Sequence, residues 1–344
     1  MTIITALIIL AILILVHEFG HFLACRWVGV PVYEFSLGMG YKLYSFEKNG
    51  TEFSFRLIPL GGYVMMAGMD PSDQDRADGY AHRSPWEKMK VSLAGPLMNV
   101  VLALAIFIFS YSVIGIGVPD GTATLGEIMP SMPAAEAGLE KGDLVLNVAG
   151  IEVENWEEFT AAVQVQAIGE YFSITVERAG QELTVEIQSK LSESSGTAVI
   201  GVYSNLRYER QGVAAAVKYG FEQTWYLTKM LVGALANLFS TGVSVDDFAG
   251  PVGITSMVSE AASGGVYHLL AFTAFLSINL GIMNMLPIPA LDGSRVILAL
   301  VEAIRRKPLA SEKEGILNFL GFVFLIVVVI MVTYNDIARL IGTE

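Results

Sequence analysis

The feature that most constrains this chain is His17-Glu18-Phe19-Gly20-His21, which closes an apolar run beginning at Ile3. Residues 3 to 16 carry no charge, so the motif falls within a hydrophobic helix rather than a loop. Positions i and i+4 share a helix face, so both imidazoles can reach one metal ion while Glu18 acts on a water bound there. Ionisable groups are costly in a bilayer and usually serve function where they persist. The bland alternative is two histidines packed in a core. In this setting the motif predicts a zinc hydrolase built into a membrane helix.

The rest of the composition supports a membrane protein with a soluble portion. Of 344 residues, 53% are hydrophobic and only 16% charged. A bilayer-crossing helix needs about 20 apolar residues. Besides the first helix, Val91 to Pro119, Ala261 to Leu291 and Gly315 to Asn335 meet that need, giving four predicted spans. The N-terminus has no basic leader or small-residue cleavage site and is expected to be retained. Cys25 is the single cysteine, which excludes an intrachain disulfide. The net charge of −13 is concentrated between Val118 and Gly212, where fifteen acidic residues face five basic ones. A solvated acidic domain is expected there, and nucleic-acid binding is excluded.

Charge also predicts topology. Arg26, Lys42, Lys48, Arg56, Arg76, Arg83, Lys88 and Lys90 lie between spans one and two. Arg305, Arg306, Lys307 and Lys313 precede span four, and only Arg339 follows it. The positive-inside rule puts both loops in the cytoplasm, with both termini and the acidic domain outside. At ~1.5 Å per residue, His17 lies roughly 20 Å into a ~30 Å core, nearer the cytoplasmic face. Met230 to Val245 is also uncharged, but a span there would separate Asp292 from His17 by the membrane thickness. Gly212 to Ser240 is therefore predicted as an amphipathic helix on the outer surface.

A catalytic zinc usually takes three protein ligands. His82 sits in a polar loop and His268 at the outer end of span three, so neither suits. Asp292 ends the third span on the cytoplasmic side, after Pro287 and Pro289 break the helix. An ordinary interfacial aspartate is the equal alternative.

Three motifs in this order carry a resemblance over nearly the whole chain: HExxH, Gly95-Pro96-Leu97-Met98-Asn99, and Asn284 to Gly293 reading NxxPxPxLDG. The chain resembles the site-2 protease family, specifically its bacterial sigma-E-regulating branch. The resemblance implies Zn²⁺ bound by His17, His21 and Asp292, with Glu18 as general base. It also implies that Asn279, Asn284, Asn99, Pro287 and Pro289 contact substrate, line the site or stabilise an oxyanion. Either Asn279 or Asn284 could instead satisfy backbone freed by the prolines. The chain departs from the family in Ser294, where a second glycine is common, and in having room for one PDZ domain rather than two.

The implied fold is a polytopic α-helical membrane protein with four transmembrane helices, a membrane-associated β-hairpin or sheet, and one extracytoplasmic PDZ domain. Residues 1–119 hold spans one and two with a cytoplasmic β loop at 28–90. Residues 120–205 form the PDZ domain, 206–262 a membrane-surface segment, and 263–344 spans three and four. Alternation in Thr51 to Leu57, then Gly61-Gly62 and Tyr63 to Met66, predicts strands whose edge could hold substrate extended. Ala134 to Val148, the Trp156 to Ala167 helix and the paired strands Tyr171–Val176 and Leu183–Ile187 resemble a PDZ pattern, expected to gate by size.

The expected function is intramembrane cleavage of single-span proteins, anti-sigma-factor-like substrates or remnant signal peptides, in regulated intramembrane proteolysis at the inner membrane. The implied partners are those substrates and the lipid bilayer, with the enzyme a functional monomer. A metal transporter would need neither Glu18 nor a PDZ domain, and no repeat symmetry is evident. An inactive helix-binding scaffold would not need an intact HExxH.

Overall fold

A computed structural model of the chain describes residues 2–69, 71–73, 75–130, 132–191, 196–241, 250–307 and 311–342. It divides into two compact units, Met1–Ser112 with Gly212–Glu344, and Val113–Gln211.

The first unit opens with α1 (Thr2–Val28), a long hairpin of β1 (Val32–Lys48) and β2 (Thr51–Met66), and α2 (Pro85–Val113). Among the described residues four helical stretches are long and apolar enough to cross a membrane: Ile3–Val28, Pro85–Val113, Val266–Asn284 and Gly315–Arg339. Three differ from the predicted bounds, the fourth by running on to Arg339 rather than ending at Asn335. The second starts at Pro85 and stops at Val113, because Gly115, at φ +116, turns the chain before Ile116–Pro119 becomes a strand. The third is shorter than Ala261 to Leu291, because Gly264 ends the preceding helix and Gly265, at φ +96, starts a new one.

Each hairpin arm serves as two strands. Lys42 to Lys48 pairs with Arg56 to Thr51, while Phe35, Ser36 and Leu37 pair with Val64, Tyr63 and Gly62. The same three residues also face Phe53, Ser54 and Phe55 on their other side. Gly38 and Gly40, at φ +89 and +83, allow the first arm to bend between its two pairings. Buried Glu34 ties the layer together, accepting from the Arg56 guanidinium at 2.6 Å and the Tyr63 hydroxyl at 2.8 Å. Phe22 of α1 packs edge-on against Phe35 and Phe53, which docks the layer on the second half of the helix. Tyr41, Leu43, Tyr44 and Leu57, around the Lys42–Arg56 pair, remain exposed.

The second unit runs β3 (Ile116–Pro119), β4 (Leu125–Ile128), α3 (Pro133–Glu136), β5 (Leu144–Val148), β6 (Ile151–Glu152) and α4 (Trp156–Gln164). It continues through β7 (Tyr171–Arg178), β8 (Gln181–Gln188), β9 (Lys190–Leu191), β10 (Ala198–Val199), β11 (Val202–Ser204) and β12 (Leu206–Glu209). The central sheet has the order β6-β5-β7-β8, and the alternation in β7 sends Phe172, Ile174 and Val176 into the core. Asn155 caps α4 by accepting from the Glu158 amide at 3.0 Å. β3 pairs with β12, so the unit extends beyond the 120–205 bounds that turn residues suggest.

The first unit resumes with α5 (Val213–Thr241), α6 (Pro251–Ser263), α7 (Val266–Asn284), α8 (Asp292–Arg305) and α9 (Ser311–Ile341). The end of the uncharged Met230 to Val245 segment lies outside the described residues. Gly220 of α5 abuts Leu104 and Ile108 of α2. Val258 of α6 packs with Ala6, Ile9 and Leu13 of α1 and Leu276 of α7. Buried Asp336 of α9 accepts from the Gly250 and Gly253 amides at 3.2 and 2.7 Å, satisfying donors at the start of α6.

Candidate active site

Helical spacing stacks His17 and His21 on one face of α1, and both are buried. Asp292 comes from the first turn of α8, 275 residues away from His17, and is buried beside them. Its Oδ2 lies 3.0 Å from His17 Nε2 and 3.2 Å from His21 Nε2, and the two Nε2 atoms are 3.2 Å apart. Ligands about 2.0–2.2 Å from a tetrahedral zinc lie roughly 3.3 Å from one another, so this triangle has the size of such a site. Two imidazole lone pairs and a carboxylate facing one point form the donor set of a metal. Among the described residues no other group of this kind occurs.

Close packing of α1 on α2 builds the site. A Cβ on Gly20 would come within 2.3 Å of the Ala94 carbonyl, and one on Gly95 within 2.3 Å of His21 Nε2 and 2.8 Å of His17 Nε2. Only the missing side chains let the two helices and the two imidazoles share this space. In a bilayer such small residues are the usual means of close helix approach, because lipid tails solvate larger apolar groups equally well. The Val91 carbonyl of α2 accepts from His21 Nδ1 at 2.8 Å, which leaves the Nε2 lone pair for a metal. Pro96 within α2 cannot donate to the ladder and interrupts it one turn beyond Val91.

Further contacts set Asp292. Gly293 brings the start of α8 against the end of α7, where a Cβ would meet the Met285 and Leu286 carbonyls at 2.1 and 2.4 Å. Lys88 of α2 donates to both Glu302 oxygens at 2.8 and 3.1 Å, joining α8 to α2 through a largely buried ion pair. Ser277 of α7 donates to the Asn99 carbonyl at 2.7 Å. Glu18 is half-buried on α1, and a Cβ on Gly62 of β2 would lie 3.3 Å from its Cγ. Gly62 therefore packs against the Glu18 side chain.

The remaining predicted residues divide. Asn99 is fully buried, with its amide 3.3 Å from His17 Nδ1, so it belongs to the site. Asn284 ends α7 on the stripe that also carries Ser277 and Gly281, facing α2. Asn279 lies two residues from Ser277 and points to the other side of the helix. Pro287 and Pro289 lie in the α7–α8 connection, and the Pro289 carbonyl packs on Gly321 of α9 rather than on the metal triangle. His82 is exposed, and His268 Nδ1 donates locally to the Gly264 carbonyl, so neither joins the site. Gly20, the Val91 carbonyl and Ser277 join the site without having been expected there, and Gly95, the first residue of the second motif, proves to be a position of close packing. The Gly20-x-x-x-Ala24 spacing was an available signal for close packing.

The model of peptidase family M50 matches residues 5–328. Zinc metalloprotease RasP of Geobacillus kaustophilus is 31% identical over 420 residues, covering 98% of this chain and 98% of its own. Regulator of sigma-W protease RasP of Bacillus subtilis is 31% identical, covering 98% and 99%, and zinc metalloprotease RasP of Oceanobacillus iheyensis is 32% identical with the same coverage. Among solved structures, the PDZ domain of an SdrC-like protein from Listeria monocytogenes covers 26% of this chain and 93% of its own, at 20% identity and TM-score 0.23.

Proposed function

The chain belongs to peptidase family M50 and is a zinc metalloprotease, and on that premise we propose that His17, His21 and Asp292 hold the zinc and that Glu18 is its general base. The observation that carries this reading is the convergence of two helix-borne imidazoles and a distant carboxylate at 3.0–3.2 Å, with Glu18 adjoining them on α1. Held by these three side chains, a zinc would supply Lewis-acid chemistry, acidifying a water and polarising a carbonyl. Glu18 takes the proton of the attacking water and returns it to the departing amine. Asn284, on the α2-facing stripe, is the better placed of the two α7 asparagines to donate to a developing oxyanion.

The substrate is a membrane-spanning segment, and its helical backbone must open before attack. The strand Gly62 to Met66 supplies an extended template, and Gly62, whose missing side chain lets it pack against the Ser36 carbonyl and Glu18, sets that strand beside the base. The exposed apolar residues around the Lys42–Arg56 pair of the β1–β2 hairpin, Tyr41, Leu43, Tyr44 and Leu57, fit insertion into the bilayer. We assign the protein to the cytoplasmic membrane, crossing four times with both termini and the acidic unit outside, as the placement of basic residues favours. Its substrates are single-span proteins of anti-sigma-factor type, cut in regulated intramembrane proteolysis.

The test uses purified protein in lipid vesicles with a single-span substrate. Glu18→Gln keeps its zinc and its fold and loses cleavage by about 10²–10⁴-fold, as expected for removal of a general base. Chelation abolishes the wild-type activity. Substantial turnover by Glu18→Gln would overturn the mechanism.

A further inference from the structure

Resting on the ligand assignment just given, we propose that Asn99 is a positioning residue for the zinc site, accepting a hydrogen bond from His17 Nδ1 through its amide oxygen and so directing the Nε2 lone pair of His17 at the metal. The two histidines are treated differently by their surroundings. His21 has a backbone carbonyl, that of Val91, 2.8 Å from its Nδ1, and a carbonyl can only accept. His17 Nδ1 has only the Asn99 amide, with the nitrogen at 3.3 Å, while Asn99 Oδ1 is buried without a partner.

A neutral imidazole carries one proton and one lone pair. If the Asn99 NH₂ group donated to Nδ1, the proton would sit on Nε2 and block the nitrogen that faces Asp292 and His21. Coordination through Nε2 requires the reverse, a proton on Nδ1 and an acceptor opposite it. Amide oxygen and nitrogen are interchangeable by a half-turn about the terminal bond, so Oδ1 can occupy the position facing Nδ1. One amide group stays unpaired among the described residues in either orientation, so hydrogen-bond counting does not choose between them. The chemistry of coordination does.

The surroundings hold the amide in reach. Asn99 is 0% exposed, its own carbonyl accepts from Ser277 at 2.7 Å, and a Cβ on Gly281 of α7 would stand 3.4 Å from the Asn99 Cβ. The side chain is therefore confined between α1 and α7, with His17 as its one hydrogen-bonding neighbour among the described residues. Asn99 thus does for His17 what the α2 backbone does for His21.

The test compares Asn99→Asp, whose carboxylate accepts and cannot donate, with Asn99→Leu, which does neither. Zinc affinity of the purified full-length protein is measured by competition with a chromophoric chelator, and the cobalt(II)-substituted protein gives a spectroscopic readout of ligand geometry. Asn99→Leu should bind zinc about 10–100-fold more weakly, the usual cost of losing such a supporting bond. Asn99→Asp should bind within a few-fold of wild type and preserve the cobalt spectrum. Asn99→Asp as weak as Asn99→Leu would mean that the native amide donates, and would overturn the proposal. So would Asn99→Leu binding as tightly as wild type. If Asn99→Leu does not fold, the Asn99→Asp result alone decides. His17→Ala separates the two levels: wild-type zinc affinity in that variant defeats the ligand assignment itself. Loss of zinc in His17→Ala together with loss in Asn99→Asp defeats only the direction of the hydrogen bond.

Discussion

The two units are held together by different means. The unit Val113–Gln211 has a core of the kind found in water-soluble domains, with Val145, Val148, Phe159, Ile174, Val176 and Ile187 buried against one another. The helical unit instead leaves most of its apolar residues facing outward, and only 28% and 39% of the spanning windows of α1 and α2 are buried. Its tightest contacts are glycines against backbone and imidazoles, together with buried polar links such as Lys88–Glu302 and Ser277–Asn99. Water drives apolar groups together in the first case. Lipid does not, so the second relies on close approach and hydrogen bonds that have no solvent competitor. A methyl group added to the helical unit and a methyl group removed from the strand-rich unit thus attack the same quantity, packing, with different consequences for chemistry.

The largest effect should follow from adding one carbon at Gly95. Gly95→Ala places Cβ against both ligand nitrogens, which cannot withdraw without leaving the metal. Zinc content should fall with an affinity loss of about 100-fold or more, beyond the usual range for supporting-residue variants, and activity should fall with it. Gly233→Ala on α5, where a Cβ meets nothing within 4 Å, is the matched control and should change neither. Retention of full zinc by Gly95→Ala would break the contrast between the units.

A smaller and purely structural effect is expected from Ile174→Ala in the other unit. Ile174 is 0% exposed, and its truncation should destabilise that unit by about 2–5 kcal/mol. Hydrogen exchange should show faster opening of β5 and β7 while zinc content stays at the wild-type level. A fall in zinc would show that the two units do not behave independently.

The smallest effect concerns pH. Asp143, 1% exposed, accepts from Arg178 Nε and Nη2 at 2.7 Å and from the Glu140 amide at 2.9 Å. Burial raises its carboxyl, but the bonds from Arg178 outweigh that and hold it below the ordinary value. A carboxylate with a lowered folded value stabilises the fold above its unfolded value, about 3.9, and the contribution disappears as pH falls through the folded value. Melting of the strand-rich unit should therefore turn more acid-sensitive below about pH 4, and Asp143→Asn should lose that part of the dependence. An unchanged acid profile in Asp143→Asn would remove Asp143 as the cause.

Much of this was legible in advance, for local reasons. His17, Glu18 and His21 lie within five residues, so helical period alone puts the two imidazoles on one face. The strands β7 and β8 alternate apolar and polar residues, so their pairing followed from period two and a turn at Ala179-Gly180. The span ends were less legible, because Ile116 to Pro119 is as apolar as the helix before it. There the backbone freedom of Gly115, rather than hydropathy, decides where the helix stops. Asp292 could be suspected from its place after two prolines, yet an interfacial aspartate would read the same.

The sequence by itself determined that helices would cross a membrane, that one would carry a metal-binding motif with a base inside it, and that an acidic, strand-rich unit would interrupt them. Periodicity and charge encode such things within a few turns of chain. Only the tertiary structure decided that Asp292 comes within 3.0–3.2 Å of the two imidazoles, that the Val91 carbonyl and Asn99 lie against the histidines' other nitrogens, and that Gly62 runs beside Glu18. Those contacts join residues 44 to 275 positions apart. In a bilayer no apolar face has to find another, so the partner each helix chooses is fixed by where glycines let backbones approach and where buried polar atoms find their complements.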